Sequence, residues 1–196
     1  MHDPETIAVY NDKADDYATR VSRDTPDSHL RAFLENLPEG AHVLDLGCGP
    51  GNSAAMIRAE GHSVDATDAS AEMVDLANRK YDIGARQARF DEIGGTDLYD
   101  AIWANFSLLH VPKAVFPTHL AALKTALKPG GLFHIGMKLG TGEDRDGIGR
   151  FYAYYDEDEL AGLLRSAGFR DLHTDTGAGK GLAGSIEPFI IIRANG

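Results

Sequence analysis

The sequence predicts an α/β domain built on a mostly parallel sheet. Two observations carry that reading. Short apolar runs alternate with longer amphipathic ones along most of the 196 residues, which is the signature of βαβ units. A glycine-rich turn, Asp45-Leu46-Gly47-Cys48-Gly49-Pro50-Gly51, joins the first apolar run to the first amphipathic one. No internal repeat or low-complexity segment interrupts the pattern. A chain of this length suits one domain with a substantial core.

The elements follow in order. Glu5–Leu37 reads as two helices split by Thr25-Pro26, with no strand between them, so residues 1–38 are expected to cap the sheet edge. The α/β core then occupies 39–196. Ala41–Leu46 is the first strand, and the helix after the turn runs Asn52–Glu60, ended by Gly61. Ser63–Ala66 is the second strand. Ser70 caps the next helix, which carries Met73, Val74 and Ala77 at helical spacing. Gln87–Phe90, Tyr99–Asn105 and Leu132–Met137 are the next strands. A helix over Lys113–Leu127 lies between the last two, stopped by Lys128-Pro129-Gly130-Gly131. Lys138–Arg150 is rich in glycine and charge and reads as a mobile loop. A helix over Asp156–Ala167 follows, then strands near Phe169–Thr174 and Ile186–Arg193 joined by the flexible, glycine-rich Gly177–Gly184.

Composition narrows the function. Apolar residues make up 43% and charged residues 25% of the chain, as in ordinary globular proteins. The net charge of −11 disfavours phosphate backbones and anionic membrane surfaces as partners. No apolar run reaches the roughly 18 residues that span a bilayer. The start, Met1-His2-Asp3-Pro4-Glu5, lacks the features of a signal peptide, so a cytoplasmic chain, monomer or homodimer, is expected. Cys48 is the single cysteine; it excludes an internal disulfide and reads as a small packed side chain. The histidines are scattered without ligand spacing, so no metal is expected. Trp103 and His134 read as packed strand residues.

The turn after the first strand is the expected chemical centre, because ligands in open α/β sheets bind at the carboxyl ends of strands. Gly47, Gly49 and Gly51 let the backbone turn tightly and approach a ligand closely. The start of the next helix offers N–H groups to an anionic group. The dinucleotide spacing would require glycine at position 52, where Asn52 stands. Asp45 sits at the strand end, where a carboxylate favours a cationic group such as a sulfonium with its α-amino group and disfavours a pyrophosphate. Asp68 closes the second strand at the distance expected for a ribose diol. Tyr10 and Tyr17 are seven apart on one helical face. His110 follows an apolar pair beyond the fourth strand and faces the cleft.

These motifs resemble those of the class I S-adenosylmethionine-dependent methyltransferases. Val43-Leu44-Asp45-Leu46-Gly47-Cys48-Gly49-Pro50-Gly51 is similar to that family's first motif, and Asp68-Ala69-Ser70-Ala71-Glu72-Met73-Val74 to its second. Phe90-Asp91, Tyr99–Asn105 with Leu108-Leu109-His110, Leu127–Leu132 and Ala167-Gly168-Phe169 follow in the family's order. The resemblance implies a Rossmann-like three-layer sandwich whose seven-stranded, mostly parallel sheet has its last strand antiparallel. It implies S-adenosyl-L-methionine as cofactor. Asp45, Gly47, Cys48, Gly49 and Gly51 would hold the methionine end, and Asp68 with Ala69 the ribose. Asp91, with Phe90 or Glu92 alongside, would meet the adenine amino group. Asn105 and Phe106 would lie beneath the methionine moiety, while Tyr10 and Tyr17 close over the cofactor.

A small-molecule acceptor is expected, held by the N-terminal helices, the stretch after Asn105 and the loop at about 138–155. Lys138, Arg150, Phe151, Tyr152, Tyr154 and Tyr155 suggest a flat or anionic acceptor, with His110, Tyr152 and Arg150 as catalytic candidates. Two rivals stand beside this reading. One is a binding module that kept the cofactor pocket without catalysis. The other is an NAD(P)-dependent oxidoreductase, opposed by Asn52, by Asp45 and by the lack of a Tyr-x-x-x-Lys pair.

Overall fold

A computed structural model describes residues 3–196; Met1 and His2, part of the start read above, lie outside the described residues. The helices are α1 (Pro4–Asp12), α2 (Ala14–Val21), α3 (Ser28–Leu34), α4 (Asn52–Ala59), α5 (Ala71–Tyr81), α6 (Phe116–Ala126) and α7 (Glu157–Ser166). The strands are β1 (His42–Leu46), β2 (Ser63–Asp68), β3 (Arg86–Gln87), β4 (Tyr99–Asn105), β5 (Leu127–Lys138), β6 (Glu143–Arg145), β7 (Phe151–Ala153), β8 (Arg170–Lys180) and β9 (Ile186–Asn195).

Seven strands form one sheet in the order β3-β2-β1-β4-β5-β9-β8. The first five are mutually parallel, and β9 enters antiparallel between β5 and β8. The central strands are buried on both faces, as parallel strands must be, and their alternation sorts residues into two cores. Leu44, Leu46, Ile102, Ala104, Phe133 and Ile135 pack with Phe116 and Leu120 of α6 and Leu160 and Leu164 of α7. On the other face Val43, Ala101 and Trp103 pack with Leu30 and Phe33 of α3 and Ile57 of α4. The result is the three-layer arrangement the sequence implies. Among the described residues no helix is long and apolar enough to cross a membrane.

The differences from the sequence reading have local causes. The N-terminal segment forms three helices, not two, because the chain turns at Lys13, whose φ of −112° leaves the helical region. The third of them lies on the face of the central strands rather than at an edge. β3 is only two residues long, and Phe90–Glu92 forms one 3₁₀ turn instead of continuing it. The stretch read as a mobile loop is partly ordered: β6 pairs antiparallel with β7, Asp144 opposite Tyr152. β8 runs on through Gly177 and Gly179 to Lys180, so the β8–β9 connection is only residues 181–185. Phe189 packs over the Gly177 position, where a Cβ would meet its ring at 2.5 Å. Those glycines accommodate an aromatic neighbour within the strand and do not loosen it.

Candidate functional site

The carboxyl ends of β1, β2 and β4 border one cleft. Gly47 and Gly49 line it from the first, Asp68, Ala69 and Ser70 from the second, and Asn105, Phe106 and Ser107 from the third. Thr6, Ile7 and Tyr10 of α1 and Tyr17 of α2 roof it, and Arg89 and Phe90 lie at its far end. Ser70 caps α5 through Met73 N–H (3.1 Å) and donates to Asn11 of α1 (2.7 Å), which ties the roof to the sheet.

The glycine turn is bound to β2. The N–H groups of Gly47 and Cys48 donate to Thr67 C=O at 2.8 and 2.9 Å, and Gly49 N–H donates to Asp68 Oδ2 at 2.9 Å. With those donors engaged, what the turn itself offers a ligand is close approach, not an anion cradle. Gly47 has φ +75°, and a Cβ there would lie 2.4 Å from Ser107 Cβ. The β1 and β4 ends can meet only because that position is glycine. Replacing Gly47 by Ala is expected to destabilise the fold by about 2 kcal/mol. A urea titration of G47A against the G47A/S107G double variant checks this, with partial recovery expected in the double variant because the clashing Cβ is gone.

Asp45 carries an unsatisfied oxygen at the site, as Ser107 does with its hydroxyl. The Asp45 side chain is 2% exposed, and Oδ2 has no hydrogen-bond partner. Burial pushes its pKa up to about 7, and the nearby Asp68 charge adds to the rise. It lines a chamber continuous with the cleft, beside Tyr17, Gly47, Asn105 and Phe106. A buried carboxylate with an open oxygen is a costly arrangement that a cationic group relieves. Asp68 is partly buried, and desolvation raises its pKa as well. Its Oδ1 accepts from Ser70 N–H and its Oδ2 from Gly49 N–H, both at 2.9 Å. With Ala69 N–H also directed at this carboxylate, acceptor capacity is still left for a hydroxyl donor.

Phe106 sits at the end of β4 with φ +57°, a strained value for an aromatic residue and one that clusters at functional sites. Its N–H donates to Gly136 C=O. Asn105 Oδ1 lies 3.0 Å from His134 Nε2, and a Cβ on Gly136 would come within 2.8 Å of that same oxygen. His134 is fully buried, stacks on Trp103 at 3.7 Å, and is held neutral by burial. Both rings are packed strand residues, as expected. Cys48 packs with Ala54, Ala66 and Ala77, and burial keeps its thiol protonated.

A second cavity opens from the first. Tyr10, Tyr17 and Phe106 line both. They form the septum between the two chambers. Although Tyr10 and Tyr17 stand on different helices, their rings still meet edge to face at 5.6 Å. Behind Tyr10 runs a polarised chain of hydrogen bonds. Phe151 C=O can only accept, so His110 Nδ1, 2.6 Å away, carries the hydrogen. His110 Nε2 is then the acceptor for the Tyr10 hydroxyl at 2.9 Å. Arg150 Nη1 donates to the same hydroxyl at 2.8 Å, and Arg150 is itself paired with Asp146 at 2.7 Å. Burial lowers the His110 pKa to about 4.

A model of the methyltransferase domain family matches residues 17–174. The chain belongs to that family. It is 36% identical over 129 residues to the trans-aconitate 2-methyltransferase of Sinorhizobium fredii, covering 64% of this chain and 47% of that protein. It is 37% identical over 110 residues to the same enzyme of Variovorax paradoxus, covering 52% of this chain and 40% of that one. The chain thus spans about half the length, or less, of the curated relatives it matches. Among solved structures it resembles the Burkholderia thailandensis 1,6-didemethyltoxoflavin-N1-methyltransferase with bound 1,6-didemethyltoxoflavin and S-adenosylhomocysteine. That likeness has a TM-score of 0.73 at 24% identity, over 98% of this chain and 87% of that one. It also resembles Haemonchus contortus phosphoethanolamine N-methyltransferase 2 in complex with S-adenosyl-L-methionine, with a TM-score of 0.74 at 14% identity, over 94% and 57%. Both support the methyltransferase fold.

Within this methyltransferase-family fold, most residues expected at the site line the cleft or the chambers beside it; Gly51 does not, its Cβ position lying against Ala77 of α5 and Ile83. Asp91 does not line the cleft; its carboxylate takes Arg89 Nε at 3.3 Å beside it, and Arg89 and Phe90 form the wall instead. Arg150 and Tyr152 line the second cavity, but Arg150 is 2% exposed and committed to Asp146 and Tyr10. Lys138 lines it too, paired with Glu187, its ammonium 3.6 Å above the Tyr152 ring. Phe151, Tyr154 and Tyr155 are not among its lining residues. Tyr155 packs on Phe116 in the core. Sequence reasoning missed Thr6, Ile7, Arg89 and Ser107. It also missed the Asp146–Arg150 pair, which closes the turn between β6 and β7 and sits in no helix whose spacing would announce it.

Proposed function

We propose that this chain is an S-adenosylmethionine-dependent methyltransferase whose small-molecule acceptor arrives with its nucleophilic atom already deprotonated. The observation that carries the donor half is Asp45, a buried carboxylate with an open oxygen beside a turn that admits close approach. It fits the α-ammonium of the methionine end and would lose its desolvation penalty on binding it. Asp68 is suited to the ribose hydroxyls. Arg89 and Phe90 wall the adenine end, with Asp91 alongside, and Asn105 and Phe106 lie beneath the methionine end. When bound, the cofactor supplies an electrophilic sulfonium methyl whose displacement needs alignment more than a protein nucleophile.

The acceptor half rests on His110. Its Nδ1–H is held by Phe151 C=O and its Nε2 by the Tyr10 hydroxyl, so neither nitrogen is open to take an acceptor's proton. A nucleophile needing a general base is poorly served here; a carboxylate needs none. Both curated relatives are named for trans-aconitate, which makes carboxylates the first acceptors to try. The single cysteine and the charge of −11 support a cytoplasmic enzyme of small molecules rather than nucleic acid, as a monomer or homodimer.

The decisive experiment is to incubate the chain with S-adenosylmethionine and a panel containing trans-aconitate, simple carboxylates and phosphoethanolamine, and to follow S-adenosylhomocysteine release. Turnover with a carboxylate is the expected result. Cofactor binding without turnover on any acceptor would instead favour a non-catalytic module, and binding of NAD alone would overturn the donor reading.

A further inference from the structure

The wall of the second cavity is charged against the character of the chain. The protein carries 30 acidic and 19 basic side chains, yet this cavity is lined by Arg20, Arg23, Lys138, Arg150 and Lys180 and by one carboxylate, Glu187. Three of these cations have carboxylate partners. Arg23 pairs with Asp27 at 2.7 Å, Arg150 with Asp146 at 2.7 Å, and Lys138 with Glu187. Arg20 and Lys180 have no ion pair among the described residues.

The two unpaired cations converge. Arg20 lies on α2, three residues after Tyr17, so it shares Tyr17's face about one turn further along. Its Nη1 donates to Gly181 C=O at 3.0 Å, which brings the guanidinium to the residue following Lys180. The same cavity is also walled by Leu109, Tyr152 and Phe189, with Phe106 of the septum meeting Phe189 edge to face at 5.6 Å. The cavity thus brings together the septum aromatics, an apolar wall with the Lys138–Glu187 pair against Tyr152, and the two unpaired cations.

We propose that Arg20 and Lys180 form an anion subsite that selects acceptors carrying a second anionic group. One end of the acceptor sits at the septum, and the other is held by the two cations. The acceptor class is a small di- or tricarboxylate, as opposed to a monocarboxylate. This rests on the methyltransferase reading above, and it adds which residues set specificity. An unpaired cation pair attracts an anion without the cost of breaking an existing salt bridge, whereas Arg23, Lys138 and Arg150 would have to give up carboxylates.

The test uses the full chain saturated with S-adenosylhomocysteine and titrated calorimetrically with tricarballylate or with butanoate. Tricarballylate is expected to bind the wild-type chain at least tenfold tighter than butanoate, and less tightly as salt is raised. The R20A/K180A variant should lose about tenfold in tricarballylate affinity and the salt dependence with it. Its affinity for S-adenosylhomocysteine and for butanoate should stay within twofold, and the R20K/K180R variant should bind tricarballylate like the wild type. Tricarballylate binding that is absent from the wild-type chain, no tighter than butanoate, or unchanged in R20A/K180A would overturn the subsite. Failure of the donor reading is seen separately, as no heat when S-adenosylhomocysteine is added.

Discussion

Replacing Asp45 by Asn is expected to weaken S-adenosylmethionine binding by about 2–3 kcal/mol, roughly 30- to 150-fold, while making the ligand-free protein more stable. Both effects come from the same buried oxygen. In the folded chain Asp45 is 2% exposed, with its pKa pushed up to about 7 by burial first and by the Asp68 charge second. An unfolded aspartate ionises near 3.9. The folded state therefore holds the proton longer, and stability falls as pH rises from about 4 to about 7, then stays level. The loss is on the order of 4 kcal/mol. Asn carries no charge and escapes it, so D45N should melt a few degrees higher at pH 8 in a thermal scan, with the advantage gone near pH 4. Cofactor binding has the opposite dependence. A cationic ligand needs the ionised carboxylate, so wild-type affinity should rise with pH up to about 7 and turn down only as the ligand's own α-ammonium loses its proton, at about pH 8. Calorimetric titrations at pH 6, 7 and 8 test this; D45N should have no such slope. A variant that loses stability and affinity together would mean Asp45 is a structural carboxylate.

The parts of this site that were legible in the sequence are those set by short-range chemistry. The turn from Asp45 to Gly51, the Ser70 cap and the β4 boundaries at Tyr99 and Asn105 each depend on neighbours within a few residues, and each lies where the pattern places it. The roof was only half legible. Tyr10 and Tyr17 do meet, but through a break at Lys13 that no helix-breaking residue announces. The acceptor side was the hardest to read, because its geometry depends on partners far away in the chain. Glycine and charge in 138–150 suggest mobility, yet Asp3 takes Arg145, Thr6 Oγ1 accepts from Phe151 N–H and Tyr10 receives Arg150. Contacts across some 140 residues leave no local trace. The same limit applies to Arg20 and Lys180, which belong to no sequence motif and share one cavity only because α2 and β8 bring them there.

Arg150 illustrates the difference between lining a site and touching its ligand, and its removal is the change expected to cost the fold most. The Arg150 and Asp146 side chains are 3% and 6% exposed, and the guanidinium donates to Asp146 Oδ2 from Nε at 3.0 Å and from Nη2 at 2.7 Å. Truncation to Ala leaves a buried carboxylate with only the N–H groups of Ile148 and of residue 150 for support. Breaking such a pair typically costs about 3–5 kcal/mol. The pH dependence identifies the cause. Burial alone would raise the Asp146 pKa, but the Arg150 hydrogen bonds and charge hold it below the ordinary carboxylate value. In the wild type this pair stabilises the fold above the unfolded pKa near 4, and the contribution is lost as pH falls through the lowered folded value. In R150A the side-chain hydrogen bonds and charge that lower the Asp146 pKa are gone while burial still raises it, so the stabilisation the pair gave at neutral pH is lost. The gap in melting temperature between wild type and R150A should therefore be widest at neutral pH and narrow toward pH 4. R150A/D146N should recover a substantial part of it, because the stranded charge is gone. Tyr10 loses its Arg150 donor in both variants, and Tyr10 lines the cofactor cleft as well as the acceptor cavity. S-adenosylhomocysteine affinity should consequently remain weakened in the double variant even where stability returns. Full recovery of both would reduce the Arg150–Asp146 pair to a fold element with no hold on the septum.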